Sequence, residues 1–382
     1  MSESTASRRR RTRVAVVFGG RSSEHAISCV TAGSVLQVLD PERYEVLPIG
    51  ISTDGRWVLL GGEETAQLAI TEGRLPARID ETSGALVTMA ADPTARELTV
   101  HEPGSVPKAL GEVDVVFPLL HGPYGEDGTL QGLLDLAGIA YVGSGVLSSA
   151  VSMDKEFMKR LLASAGLPIG RYLTVRRDRW QADPRAVADR VAQLGFPVFV
   201  KPARAGSSMG ITKVHGPGEL AAALDEAHRH DPKAVVEAMV PGREIEIGVL
   251  AGPGGAPRVS APAEITVRGG HEFYDFQAKY LDGSTDVELP ADLTEAQLAE
   301  LNRLAVAAFE ALDCEGLARV DFFLARESPD VEPHWLVNEV NTMPGFTPTS
   351  MFPQMWAASG VSYAELVDGL IAEALARPAG LR

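Results

Sequence analysis

The stretch from Ala318 to Asn341 constrains this chain more than any other. Two short runs, 318–324 and 334–341, alternate apolar and polar residues and are rich in β-branched and aromatic ones, the pattern of strands. Between them lie Arg326, Ser328, Pro329, Asp330 and Pro333, which are turn residues. The segment folds on paper as an antiparallel hairpin centred near Asp330. Asp321 then lies across from Glu339, because the first strand begins where the second ends. Side chains of one face recur every second residue, so Arg319 shares a face with Asp321, and Glu339 with Asn341. Three oxygen donors and one guanidinium converge at one end of the hairpin. Asp, Glu and Asn oxygens without His or Cys suit a hard cation such as magnesium, which with few protein ligands usually also holds phosphates. Read alone, these residues also describe a solvated hairpin end with a salt bridge. The turn Thr342–Gly345, directly after the donors, favours a site.

The 382 residues suit two or three domains, and 45% apolar with 23% charged residues is the balance of a soluble globular protein. Thirty-five basic against 51 acidic residues give a net charge of −16, which argues against nucleic acid or an anionic membrane as the main partner. A nucleotide needs only a local positive pocket and is not excluded. Cys29 and Cys314 stand far apart, so the sequence predicts neither a disulfide framework nor a zinc site, and a reduced cytoplasm is the compartment expected. The basic start, residues 1–12, leads into too short an apolar run for a signal peptide and reads as a disordered tail. No run approaches the ~18 apolar residues of a membrane span. No internal repeat is visible.

In chain order, Val14–Phe18 reads as a buried parallel strand, followed by the glycine turn Gly19–His25 and a helix to about Leu39. That geometry exposes backbone N–H groups, but GxGxxG is absent. Glu24 sits at the mouth of the turn, where a helix-capping carboxylate is the simplest role. Tyr44–Ile51 is a second strand, residues 53–112 look like a hairpin-rich elaboration, and Val113–Leu120 is another buried strand. The glycine-rich loop His121–Gly128 follows at the carboxyl end of that strand, where open α/β sheets bind ligands, so His121 is a candidate substrate contact. Ser152 is expected to cap the next helix, with Phe157, Leu161 and Leu162 on its apolar side and Gly166 ending it. Lys155 falls in the first turn, where a cation opposes the helix dipole, and a phosphate ligand would explain it. Residues 196–202 form a strand ending on Lys201. The loop 203–210 offers backbone N–H groups to phosphate without being a Walker A loop. The strand at 234–240 is broken by Pro241, a place for an adenine slot, and 243–250 is the next strand. Residues 269–281 read as an ordered functional loop, and 294–312 and 363–376 as amphipathic helices.

Six motifs now stand in order: GGRSSEH from Gly19, HGPYGEDGTLQG from His121, Lys201-Pro202 with GSSMG from Gly206, Tyr274-Asp275 with Ala278-Lys279-Tyr280, Ala318-Arg319-Val320-Asp321, and NEVNTMPGFT from Asn338. Together they resemble the ATP-grasp superfamily and, within it, the D-alanine–D-alanine ligases, over nearly the whole chain. The resemblance implies an α/β, three-domain ATP-grasp fold. Residues 13–145 would be an amino-terminal open α/β substrate domain, 146–241 a central lid, and 242–382 a carboxyl-terminal mixed-sheet domain bearing the metal site.

The resemblance further implies a two-step ligation. ATP phosphorylates one D-alanine and the amine of a second attacks the acyl phosphate, giving the dipeptide of the peptidoglycan precursor. Two Mg2+ (or Mn2+) would sit on Asp321, Glu339 and Asn341. Lys155, Lys201 and Ser208 would hold phosphates, Glu237, Ala238, Met239, Val240 and Phe323 would enclose adenine, and Glu244 would meet the ribose. Arg319 and the Gly345 N–H would face the oxyanion. Glu24, Ser207 and Tyr280 would form a hydrogen-bonded triad over the closed site, with His121, Lys279, Ser350 and Met351 near substrate. Tyr280 marks users of D-alanine rather than D-lactate. Ala238, where many relatives have lysine, and Ala203 and Ala205 depart from the family pattern. A homodimer is implied, with D-alanine and ATP as partners and neither nucleic acid nor membrane. The alternatives are a D-alanine–D-lactate or other D-amino acid ligase, or a nucleotide-binding relative without catalysis.

Overall fold

The computed structural model describes residues 10–377 apart from 70–75, 77, 81, 103, 207–208, 253–255, 268–284, 327 and 329. Three sheets organise it. In the first, Thr12–Gly19 lies between Tyr44–Ile51 and Val115–Pro118, all parallel, with Ala140–Tyr141 outside the latter. Beyond Tyr44–Ile51 the sheet continues antiparallel through Trp57–Leu59, Ala85–Met89, Glu97–His101 and Lys108–Glu112, the hairpins expected of residues 53–112. The central strand is apolar on both faces because both are covered. Val14, Val16 and Phe18 pack with Ala32 and Val35 of the helix His25–Val38 and with Leu366 and Leu370 of the last helix, Tyr363–Ala376. Ala15 and Val17 pack with Leu130 and Leu134 of Thr129–Leu136 on the other side.

The second sheet is antiparallel, in the order Thr212–Val214, Val198–Pro202, Lys233–Ala238, Tyr172–Arg176. In the third, Gly242–Leu250 lies between Ala263–Val267 and Leu317–Ala325, and His334–Asn341 forms one edge. Behind it runs Glu295–Ala311, started by a capping box of Thr294 and Gln297. Leu301, Leu304, Ala305, Ala308 and Phe309 recur every three or four residues and are buried against the sheet, each larger one contributing roughly 1.5–3 kcal/mol. Among the described residues no helix is long and apolar enough to cross a membrane.

One expectation is corrected. Ser152 does not cap the helix Lys155–Ser164. It lies buried inside the preceding helix, Val146–Met153, and the cap is Asp154, whose carboxylate accepts from the N–H of Glu156 (3.1 Å) and Phe157 (3.3 Å). Two helices abut with one residue between them, so the serine that looked like a start signal is an interior residue. The inward face of the second helix is Met158 and Leu162, flanked by the buried Lys155 and Lys159. Phe157 and Leu161 point outward, the reverse of the simple apolar reading.

Candidate active site

The hairpin forms in the register that its sequence implies: Asp321 pairs with Glu339 and Arg319 with Asn341. The ladder shifts by one residue between Asp321 and Phe322, leaving Asn338 as the extra residue of a bulge. Arg319 donates through Nε and Nη2 to both oxygens of Asp321 (2.7 and 2.8 Å), and Asn341 Nδ2 donates to Asp321 Oδ2 (3.0 Å). Glu246, buried on the neighbouring strand, lies 3.2 Å from Arg319 Nε. Glu339 Oε1 receives Lys155 Nζ at 2.7 Å. Among the described residues no three His, Cys, Asp or Glu side chains converge on one metal-sized point. Two carboxylates and one amide oxygen still fit a hard cation that takes its remaining ligands from phosphate and water. Each carboxylate already carries a cationic side chain, which shows that this corner accepts positive charge.

A cavity of about 470 Å3 opens between the second and third sheets. Lys201, Glu237, Ala238, Met239, Val240, Glu244, Phe323, Asp321 and Glu339, all expected from the sequence, line it together. At its centre Glu237 accepts from two lysines, Lys201 at 2.6 Å and Lys159 at 3.2 Å. Burial alone would raise the Glu237 carboxyl, but the two ammonium groups pull it down to about 2. Burial lowers Lys201, yet Glu237 outweighs it and the ammonium is held above its ordinary value. Glu237 was expected beside adenine. Both of its carboxylate oxygens lie on lysines, and its backbone lies in the sheet between Phe199 and Tyr172.

Lys155 lies at the first turn of its helix. Its backbone N–H donates to Ala203 O (3.0 Å) and its ammonium to Ala205 O (3.1 Å), so it touches the loop at 203–206 at both ends. Its neighbours Asp154 and Glu156 face away from it. They bind the buried Lys233 instead, at 2.5 and 2.9 Å.

Glu24 occupies the cap position of the first helix, but its side chain makes no cap bond. It sits between two glycine segments: a Cβ built on Gly122 or on Gly206 would fall 2.7 Å from Glu24 Oε2. His121 is buried. Its Nδ1 donates to Met343 O (3.2 Å) and Nε2 receives the Thr31 hydroxyl (3.5 Å), so the ring braces the first sheet against the turn after the hairpin. Burial lowers its pKa, which keeps the imidazole neutral. Ser350 precedes the helix Met351–Ala358, with Thr347 Oγ1 at 2.8 Å, and Met351 is half-buried there. Gly345 lies in the segment between these and the hairpin. Ser207, Ser208, Lys279 and Tyr280 lie outside the described residues.

Two members escaped the sequence reading. Lys159 is buried in the cavity wall, four residues after Lys155 on the same helical face, which was the available signal. Glu126 is half-buried in the loop after His121 and accepts from Gly122 N–H at 2.5 Å. Burial and then the charge of Glu24 push its pKa well above the ordinary carboxylate range.

The fold that encloses this cavity is shared with solved ligases. The chain superposes on the D-Ala:D-Ser ligase VanG of Enterococcus faecalis with TM-score 0.79 at 34% identity, covering 96% of this chain and 100% of that one. For the D-alanine–D-alanine ligase of Coxiella burnetii the values are 0.76 and 35%, over 96% and 94%. The fold is thus that of an ATP-grasp ligase. The D-ala D-ala ligase N-terminus model matches residues 13–144 and the D-ala D-ala ligase C-terminus model residues 161–372. The D-alanine–D-alanine ligase of Streptomyces griseus is 57% identical over 100% of this chain and 97% of its own length, and that of Mycobacterium sp. (strain KMS) 53% over 98% and 99%. The chain belongs to the D-alanine–D-alanine ligase family.

Proposed function

We propose that this chain joins two D-alanines at the expense of ATP, making the D-alanyl-D-alanine of the peptidoglycan precursor. The carrying observation is full-length identity of 53–57% to curated ligases of that name. The cavity is consistent with it. ATP would lie between the second and third sheets, its base against the strand end at Glu237–Val240 and Phe323 and its ribose near Glu244. Lys201 and Lys155 would reach the phosphates, with Ser208 of the loop above.

The first D-alanine would enter where Glu24 stands between the two glycine segments, its ammonium facing that carboxylate and His121 behind it. Its carboxylate attacks the terminal phosphorus of ATP and ADP leaves. The acyl phosphate is then attacked by the neutral amine of the second D-alanine, held by its carboxylate near Ser350, Met351 and Lys279. Arg319 and the Gly345 N–H would face the oxyanion that forms, and phosphate departs. Asp321, Glu339 and Asn341 would hold two Mg2+ (or Mn2+), which supply charge neutralisation along the phosphates. Closure over the acyl phosphate would fall to Tyr280 and Ser207 meeting Glu24, excluding water. A cytoplasmic homodimer is the setting we infer.

Phosphate release should be followed with ATP and a panel of D- and L-amino acids, D-serine and D-lactate, with products resolved by mass spectrometry. D-Alanyl-D-alanine should dominate at neutral pH. A dominant D-alanyl-D-lactate or D-alanyl-D-serine product would overturn the assignment of the second substrate.

A further inference from the structure

Behind the ATP cavity, on the outer strand of the second sheet, lies another concavity of about 350 Å3. Four arginines line it, Arg160, Arg176, Arg179 and Arg190, with Tyr172 and one carboxylate, Glu156. That carboxylate is already matched: Arg160 lies 2.6 Å from one oxygen and the buried Lys233 2.9 Å from the other. Among the described residues the guanidinium groups of Arg176, Arg179 and Arg190 make no hydrogen bond or close ion pair, although the charge of Arg176 also acts on Glu156. This is a chain with 51 acidic against 35 basic residues. Three guanidiniums without a bonded partner around one groove, in a chain where carboxylates are plentiful, mark a place that leaves room for an anion from outside.

We propose that this groove binds a small diphosphate-bearing molecule. Guanidinium forks match phosphate oxygens two at a time, which compact ammonium groups do not. The groove is short and concave, which suits a small ligand. A nucleic acid would meet the field of a chain with net charge −16. The site is distinct from the nucleotide cavity but adjoins it. Tyr172 pairs across the sheet with Glu237, and Lys159 Nζ lies 5.9 Å from the centre of its ring. Arg160 and Glu156 stand on the helix that carries Lys155 and Lys159. An anion that draws Arg160 from Glu156 would act on the same helix that presents both lysines.

The test is calorimetric titration of the full chain with inorganic pyrophosphate, the nucleotide cavity being filled beforehand with saturating ADP. One further pyrophosphate site is expected, weakening as salt rises. Combined R176Q, R179Q and R190Q should weaken it by about tenfold per guanidinium, the size of a charge-assisted hydrogen bond, while ADP affinity stays within about twofold. Arg190→Gln alone, on an exposed helix surface, should show the single step of about tenfold. Failure of ADP to bind would count against the proposed function and leave this site to be titrated directly. No pyrophosphate uptake by the ADP-filled protein, uptake no stronger than that of chloride, or unchanged affinity in both variants would overturn the groove.

Discussion

Among the described residues, two knots of buried charge face each other across one helix. On the cavity side of Lys155–Ser164, Lys159 and Lys201 share the single carboxylate of Glu237. On the other side, Asp154 and Glu156 share the single ammonium of Lys233. The second knot is closed. Asp154 also caps the helix, Glu156 also takes Arg160, and the ring of Phe157 covers Lys233 at 4.7 Å. Burial alone would raise Glu156, but Lys233 and then Arg160 more than offset it, and its pKa falls. Asp231 extends this framework, binding Arg204 through two nitrogens (both 2.8 Å) and the N–H of Lys233 (2.9 Å). The cavity knot is open, because two ammonium groups on one carboxylate leave a positive surplus. The ratio of signs, more than the presence of buried ion pairs, separates scaffold from site, since a buried pair is in itself weak evidence of stability.

The contrast can be broken experimentally, beginning with the largest effect. Glu339→Gln should reduce turnover below detection while circular dichroism stays unchanged, since this carboxylate faces both Lys155 and the proposed metals. Near-normal turnover at millimolar magnesium would remove the hairpin from the reaction.

Lys233→Met strands two buried carboxylates and should lower unfolding free energy by about 3–5 kcal/mol in urea. The turnover of the folded fraction should change far less than in Lys201→Met. If the two substitutions destabilise equally, the division between scaffold and site fails.

The third expectation concerns acid. The folded pKa of Glu237, about 2, lies below its ordinary 4.5. Its stabilisation is therefore fully present above 4.5 and is lost as pH falls toward 2, by about 3 kcal/mol if the whole shift is expressed. Urea midpoints in that range should decline less steeply in Glu237→Gln than in the unchanged chain. Parallel declines would mean that the carboxylate is not held by its lysines.

The smallest effect is expected at the far wall. Glu24→Gln should raise the Michaelis constant for the first D-alanine on the order of tenfold, the loss of one charge-assisted contact. A change in melting temperature alone would return Glu24 to a purely structural role.

The hairpin register was legible because it needs only a period of two and a turn, and both stand in the letters. The glycine loops and the apolar strands were legible for the same local reason. Lys159 was not, because a lysine on an amphipathic helix ordinarily points to water, and its burial depends on Glu237, 78 residues later. Ser152 is deceptive because a serine ahead of an apolar run ordinarily caps a helix, whereas here two helices meet without a loop. The Lys233 knot joins residues 79 apart through a sheet whose strand order local patterns do not carry.

The bulge at Asn338 bears on how this chain can vary in length. Trp335, Val337 and Val340 are its buried residues there, so the core-facing phase changes by one position between 337 and 340. That extra residue is what lets Trp335 and Val337 fill the core while Glu339 and Asn341 reach the opposite face. Removing it would turn either the donors inward or the core residues out to water. The turn at 326–333 carries no such phase and can absorb insertions. A descendant of this sequence is therefore free to lengthen the tip of the hairpin, but its last strand has to keep count to the single residue.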